Sequence, residues 1–147
     1  MLRVFVDVNV PLYASGKEHP SRGPCQAIIR SIATTSNAVT SAEMLQEVLH
    51  VCLRRGEALR AQAVLDDLVQ VFAGRIEPLQ ARDVLAAASG GSERLSSRDR
   101  IHLAVMQRLG VDRIISTDQS FDGLPEVTRL NPLTFDSWRE EVFGEAD

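Results

Sequence analysis

Two short apolar runs in this chain end on an acid, and that placement limits what the chain can fold into. The first, Leu2, Val4, Phe5 and Val6, broken only by Arg3, stops at Asp7; the second, Ile114 and Ile115, runs through Ser116 and Thr117 to Asp118. Runs of this length and composition read as strands buried on both faces of a parallel sheet. Ligands of open α/β sheets bind outside the carboxyl ends of the strands, so an acid placed there is a candidate metal ligand or catalytic group.

Helical spacing fills most of the chain between these runs. A helical turn is predicted over residues 8–14, then a Gly-, Pro- and Ser-rich loop over 15–24 that sets Lys17, His19 and Arg22 near the opening of a site built on Asp7. A helix over 24–34 presents Ile28, Ile29 and Ile32, with Pro24 in its first turn. Ala38, Val39 and Thr40 form a short strand signal, and Ser41 is a candidate cap for a helix whose apolar face is Leu45, Val48, Leu49 and Cys52. Glu47 lies beside that face in the second turn; Glu43, one turn earlier, is explained by the helix dipole. After Gly56 a second helix starts near Glu57 with Ala61, Val64, Leu65, Leu68 and Phe72 on one side, and Gly74 closes it. Residues 75–79 read as a short strand or connector and 80–88 as a helix, followed by the flexible tract 89–92. Ser96 or Ser97 caps a helix that buries Ile101, Ala104, Val105 and Leu109 and carries Asp99 in its first turn. Residues 126–130 form an edge strand, and 134–147, with Trp138 and Phe143, a terminal segment expected to pack loosely or fray.

Strands alternating with helices imply a three-layer α/β/α fold on a mainly parallel sheet of four or five strands. The 147 residues fit a single domain. Hydrophobic residues at 44% and charged residues at 24% exclude a disordered or fibrous chain. With no apolar run near the ~20 residues that cross a bilayer and no signal-peptide pattern, a cytoplasmic protein is expected. Cys25 and Cys52 lack metal-ligand spacing and read as small core residues. The net charge of −4 is opposite to that of a typical nucleic-acid binder, although a cation held by gathered acids reverses the local potential. Fifteen of the sixteen basic residues are arginine, Lys17 being the exception, and the planar guanidinium suits phosphate.

The topology predicted above brings Asp7, Glu47, Asp99 and Asp118 to one sheet edge. Acids so gathered repel and raise one another's pKa unless something compensates. Oxygen donors of this kind suit Mg²⁺ or Mn²⁺, which can activate water and steady phosphoryl charge. Each acid also has an ordinary explanation. Asp7 and Asp118 can serve as caps, Glu47 as a solvated helix residue, Asp99 as a dipole partner and Asp122 as a surface acid. His102 stands alone on its helix, with no cysteine or second histidine nearby, and reads as structural.

Four blocks, Phe5-Val6-Asp7-Val8-Asn9, Ser41-Ala42-Glu43 with Glu47, Asp99-Arg100-Ile101-His102-Leu103-Ala104, and Ile115-Ser116-Thr117-Asp118 with Asp122, occur in this order, and together they resemble the motif blocks of PIN-domain nucleases, particularly the VapC-type toxins of toxin–antitoxin pairs. The resemblance spans residues 2–130. It implies a Mg²⁺- or Mn²⁺-dependent endoribonuclease acting on structured RNA such as tRNA or ribosomal RNA, a homodimer, and neutralisation by a cognate antitoxin. Because the gathered acids are the largest concentration of negative charge in the chain, that antitoxin is expected to present Arg or Lys to them. By position, Asp7, Glu47, Asp99 and Asp118 match the acids that hold metal and position water. Asn9 and Thr117 match polar residues that orient them, and Asp122 an additional acid of some members. Arg100 stands where a small or apolar residue is expected, next to a candidate ligand, where it would weaken metal binding or hold phosphate. Two alternatives remain beside this reading. A HAD-like phosphatase also opens with a strand ending in Asp but requires an acid at the position of Asn9, and a PIN fold without catalysis would only capture RNA or protein.

Overall fold

The computed structural model describes residues 2–90 and 93–145. Its elements run in the order β1 (Val4–Val6), α1 (Asn9–Ala14), α2 (Arg22–Thr34), β2 (Ala38–Ser41), α3 (Ala42–Arg54), α4 (Ala58–Phe72), β3 (Ile76–Glu77), α5 (Ala81–Ser89), α6 (Ser97–Leu109), β4 (Arg113–Ile115), β5 (Thr128–Leu130) and α7 (Phe135–Phe143). Short 3₁₀ turns occupy Gln119–Phe121 and Pro132–Thr134. Parallel pairing in the order β3-β2-β1-β4-β5 makes β1 the central strand. Phe5 faces Val39 on one side and Ile114 on the other, and Val6 faces Ile115.

Side chains alternate across a strand, so β1 feeds two cores. Val4 and Val6 join Ile28 and Ile32 of α2, Val48 of α3 and Phe72 of α4. Phe5, pointing the other way, packs with Leu103, Val105 and Met106 of α6 and with Phe121. Helices thus cover both faces of a five-stranded parallel sheet, giving the three-layer α/β/α arrangement. All three residues of β1 are fully buried, as expected of a strand enclosed on both sides. Cys25 and Cys52 are free thiols inside the first core.

Several boundaries and faces differ from the sequence reading. Helix α2 starts at Arg22, two residues before Pro24, because its N-terminal turn tolerates proline beyond the first position. On α3, Leu49 is exposed and Met44 is buried with Val48 and Cys52. On α6 the buried set is His102, Leu103, Ala104, Val105 and Met106, while Ile101 and Leu109 are half-buried. Both helices are rotated relative to the face that apolar spacing suggested, because docking against the sheet selects the orientation. Ser41 precedes α3 without a side-chain cap bond; Ser96, in contrast, accepts from the Asp99 N–H. Ala73 adopts the left-handed conformation that ends α4, one residue before Gly74. The flexible tract inferred over 89–92 falls partly on residues 91 and 92, outside the described residues. Among the described residues no helix is long and apolar enough to cross a membrane.

The C-terminal segment also departs from expectation. Helix α7 docks rather than frays, burying Trp138, Phe135 and Val142 in the first core. The Trp138 indole N–H donates to the Asn131 carbonyl at 2.9 Å. Buried Asn37 donates to the carbonyls of Leu2 and Val142, tying the end of α7 to the start of β1. Deleting the Trp138 ring removes apolar burial and leaves a cavity, so Trp138→Ala should lower stability by about 3–5 kcal/mol. Urea denaturation followed by circular dichroism checks this; a loss within about 0.5 kcal/mol, the level of a surface change, would mean that α7 is not part of the core.

Candidate active site

Asp7 leaves β1 at the carboxyl edge and is locked there before any ligand arrives. Its backbone N–H donates to the Ile115 carbonyl at 3.1 Å, continuing the ladder to β4. Its side chain accepts from the Val8 N–H at 2.8 Å, from Ser116 Oγ at 2.7 Å and from Asn9 Nδ2 at 3.3 Å. Asn9 also donates to Ser116 Oγ at 3.2 Å and accepts from the Thr117 N–H at 3.1 Å. Ser116 Oγ in turn accepts from the Asp118 N–H at 3.0 Å. The ends of β1 and β4 are therefore one hydrogen-bonded unit, and the carboxylate within it has a fixed orientation.

Helices bring the remaining groups to this edge. Strand β2 delivers α3, whose buried Glu47 accepts from His102 Nε2 at 2.8 Å. His102, on α6 and fully buried, also places Nε2 3.7 Å from Asp7 Oδ1. Ligand atoms of Asp7, Glu47 and His102 all lie within 4.8 Å of one another. Asp99 sits in the first turn of α6, and Asp118 caps the 3₁₀ turn after β4 by accepting from the Ser120 N–H at 2.9 Å. Both are partly exposed, forming the open side of a site whose floor is Asp7.

Crowding of acids sets the electrostatics. Burial pushes the Asp7 carboxyl above the ordinary range, with His102, Ser116 and the Val8 N–H offsetting only part of the effect. Asp99 is pushed up to about 6, first by burial and then by the negative charges of Asp7 and Asp118. For His102 burial opposes the charged form, but the bond to Glu47 and the carboxylates of Asp7, Glu47 and Asp99 outweigh it and raise its pKa. The neighbouring carboxylates thus favour the protonated imidazole, whose charge opposes the self-repulsion of the acids.

All four acids singled out in the sequence reach this edge, but the surrounding residues differ from expectation. Ser116, not the Thr117 side chain, supplies the hydroxyl on Asp7; Thr117 contributes its backbone N–H to Asn9. Asp122 is committed elsewhere, held by Arg129 through bonds of 2.8 and 3.0 Å that keep its carboxyl below the ordinary range. Arg100 directs one guanidinium nitrogen to the Gly90 carbonyl at 3.4 Å. His102, read from the sequence as structural, lies between two of the acids. One signal for it was present: it follows Asp99 by three residues, which on a helix puts both on neighbouring faces.

Fold and site together define an α/β protein whose strand ends carry an acidic pocket. The chain belongs to the PIN-domain family, since the family profile described as PIN domain matches residues 4–127. It is 34% identical to a VapC ribonuclease of Mycobacterium bovis, over 86% of this chain and 98% of that protein. Its fold is similar to the crystal structure of the Mycobacterium tuberculosis toxin VapC20, described as cleaving the sarcin–ricin loop, with TM-score 0.65, 22% identity, and coverage of 84% of this chain and 98% of that one. The Rickettsia felis VapBC2 structure, bound to a promoter DNA fragment, contains a chain similar at TM-score 0.68 and 14% identity, covering 88% and 98%.

The raised Asp99 pKa has a consequence for the metal-free protein. The folded state holds the proton more tightly than an unfolded chain at 3.8, so this group favours folding below that value and its contribution is lost as pH rises toward about 6. Asp99→Asn cannot titrate, so it should gain stability relative to wild type as pH rises across that window. Chemical denaturation of both proteins in EDTA at several pH values measures the difference; parallel curves would contradict the assigned electrostatics.

Proposed function

We propose that this chain is a VapC-type endoribonuclease that uses Mg²⁺ or Mn²⁺ to hydrolyse phosphodiester bonds of structured RNA such as tRNA or ribosomal RNA. The observation that carries this reading is the convergence of Asp7, Glu47, Asp99 and Asp118 on one sheet edge, with Asp7 fixed by Ser116 and Asn9. The donor set fits a hard divalent cation, since carboxylate oxygens dominate it and the acids are too crowded to remain stable as unscreened charges. A divalent ion bound there would lower the pKa of a bound water and neutralise charge on the phosphate under attack.

The chain's own residues do the positioning. Asp7 presents an oxygen whose direction is set by three hydrogen bonds. Glu47 is oriented by His102 Nε2, the kind of outer partner that fixes a ligand and tunes its basicity. Asp99 and Asp118, on the open side, would help hold the ion and position the attacking water. Asn9 spans the two strand ends, a role that leaves no acid where a HAD-like phosphatase needs one. Family membership disfavours that alternative, and the intact set of acids disfavours a non-catalytic capture module.

A cytoplasmic homodimer restrained by a cognate antitoxin completes the reading, and the likeness to a VapC ribonuclease supports its toxin part. An antitoxin cation, Arg or Lys, would contact the acid cluster, drawn by the negative charge gathered there. Purified protein with Mg²⁺ or Mn²⁺ should cut a tRNA or ribosomal RNA transcript. In the same assay Asp7→Asn should abolish cleavage, and His102→Ala, which releases Glu47, should cost about 10–100-fold. Wild-type cutting by the Asp7 variant would sink the assignment. Charge reversal at Glu47 and Asp99 should weaken the complex with coexpressed antitoxin, measured by co-purification, and an unchanged complex would refute the contact.

A further inference from the structure

The acid cluster leaves unexplained a second concavity that has Lys17, Arg55 and Arg60 in its lining. A cavity of about 550 Å³ opens where the end of α1 meets the α3–α4 turn, lined by Tyr13, Gly16, Lys17, His19, Arg55 and Arg60 among others. Although the whole chain carries a net charge of −4, this wall gathers its single lysine and two arginines. Glu57 is the acid in the lining, and Arg60 Nη1 engages it at 2.7 Å. Lys17 is exposed and enters no ion pair among the described residues.

The walls are tied together. Arg60 Nη2 donates to the Leu12 carbonyl at 2.9 Å and to Ser15 Oγ at 3.2 Å, joining α4 to the end of α1. At Gly16 a Cβ would stand 2.8 Å from the Leu12 carbonyl oxygen, so only glycine lets the loop fold back along that wall. The His19 ring is preset as well. Its Nδ1 accepts from the Ser21 N–H at 3.0 Å, and the ring stacks on Tyr13 with centroids 4.4 Å apart and planes at 26°. An aromatic pair beside a cationic wall is the combination that binds single-stranded nucleic acid, stacking a base while the cations follow the backbone.

Placement connects this cavity to the acids. Helix α1 begins beside Asp7 and reaches the cavity after a rise of roughly 9 Å, and α3 carries the chain from Glu47 to Arg55 over roughly 12 Å, at about 1.5 Å per residue. A short run of RNA backbone covers that distance. We propose that this cavity is a subsite for the sugar–phosphate backbone, and one stacked base, of RNA flanking the bond cut at the acid cluster. The inference rests on the ribonuclease reading for its substrate. It also accounts for how an acidic chain draws a polyanion to its own acids: the attraction is local, supplied by flanking Lys17 and Arg55 rather than by net charge.

The test is RNA binding by the full chain carrying Asp7→Asn, with a fluorescein-labelled single-stranded RNA of mixed sequence, followed by anisotropy at several salt concentrations. Adding Lys17→Ala with Arg55→Ala should raise Kd about tenfold near physiological salt. It should also reduce the slope of log K against log salt by about 1.4, two phosphate contacts at ~0.7 each. Arg82→Ala with Arg139→Ala removes equal charge from α5 and α7 and should leave both readouts unchanged. Unchanged Kd and slope in the Lys17/Arg55 variant, or an equal loss in the control pair, would overturn the subsite. So would retained RNA affinity with loss of coexpressed antitoxin, which would give the cavity to the protein partner. A wild-type chain that binds RNA through these residues but cuts none would instead refute the ribonuclease reading and leave the subsite standing.

Discussion

The carboxylate of Asp7 is buried at the junction of β1 and β4, and the rest of the site is arranged around making that burial tolerable. A charged group removed from water is costly unless it is hydrogen-bonded or paired. Here Val8, Asn9 and Ser116 donate to it, and the backbone ladder between Asp7 and Ile115 keeps those donors in register. Because β1 is central, its two neighbours deliver β2 and β4 to the same edge, so α3 and the Ser116–Asp118 turn arrive within reach without any long loop. Thr40 Oγ1 reinforces this by donating to the Val6 carbonyl at 2.9 Å, one residue before Asp7.

His102 resolves the conflict that such a site creates. Acids close enough to share a cation repel when none is bound, and the resulting cost falls on the folded state. A buried imidazole between Glu47 and Asp7 relieves part of it. The same contact orients Glu47, so one residue serves both stability and geometry. Its ring also packs against Phe5 with centroids 5.2 Å apart, which anchors the site to the second core and couples the position of α6 to the central strand.

The arginine-rich composition finds its main use in the fold. Arg75 donates to the carbonyls of Ala38, Ile32 and Val71. Arg108 grips Asp83 and reaches the Pro78 carbonyl. Arg129 joins Asp122 to the Ser116 carbonyl directly behind the acid cluster. Each uses the planar fork to satisfy several acceptors in a fixed geometry, which the compact ammonium of a lysine does not offer. Against this background the cations lining the α1–α3 cavity stand out because Lys17 is bound to no acid among the described residues, and Arg60 uses its fork to hold the cavity's walls as well as Glu57.

The sequence by itself determined the end of the central strand and the candidate acids. The apolar run that stops at Asp7 can be read locally, since a doubly buried strand has a composition of its own and its end is marked by the first charge; β4, by contrast, ends at Ile115, three residues before the Asp118 at which the sequence reading closed it, and Asp118 instead caps the 3₁₀ turn that follows. Glu47 and Asp99 followed from helical spacing. Rotation of a helix about its axis, however, is set by what it docks against, and so Met44 rather than Leu49 is buried on α3, and His102 lies beside Asp7 and Glu47. Likewise, Ser116 rather than Thr117 bonds Asp7 because the pleat of β4 decides which hydroxyl faces β1. Only tertiary structure could pair Asp122 with Arg129 and remove it from the site, and only packing against α2 could turn the terminal segment into the buried helix α7. Local chemistry names the candidates; which of them meet is decided by contacts between residues far apart in the chain.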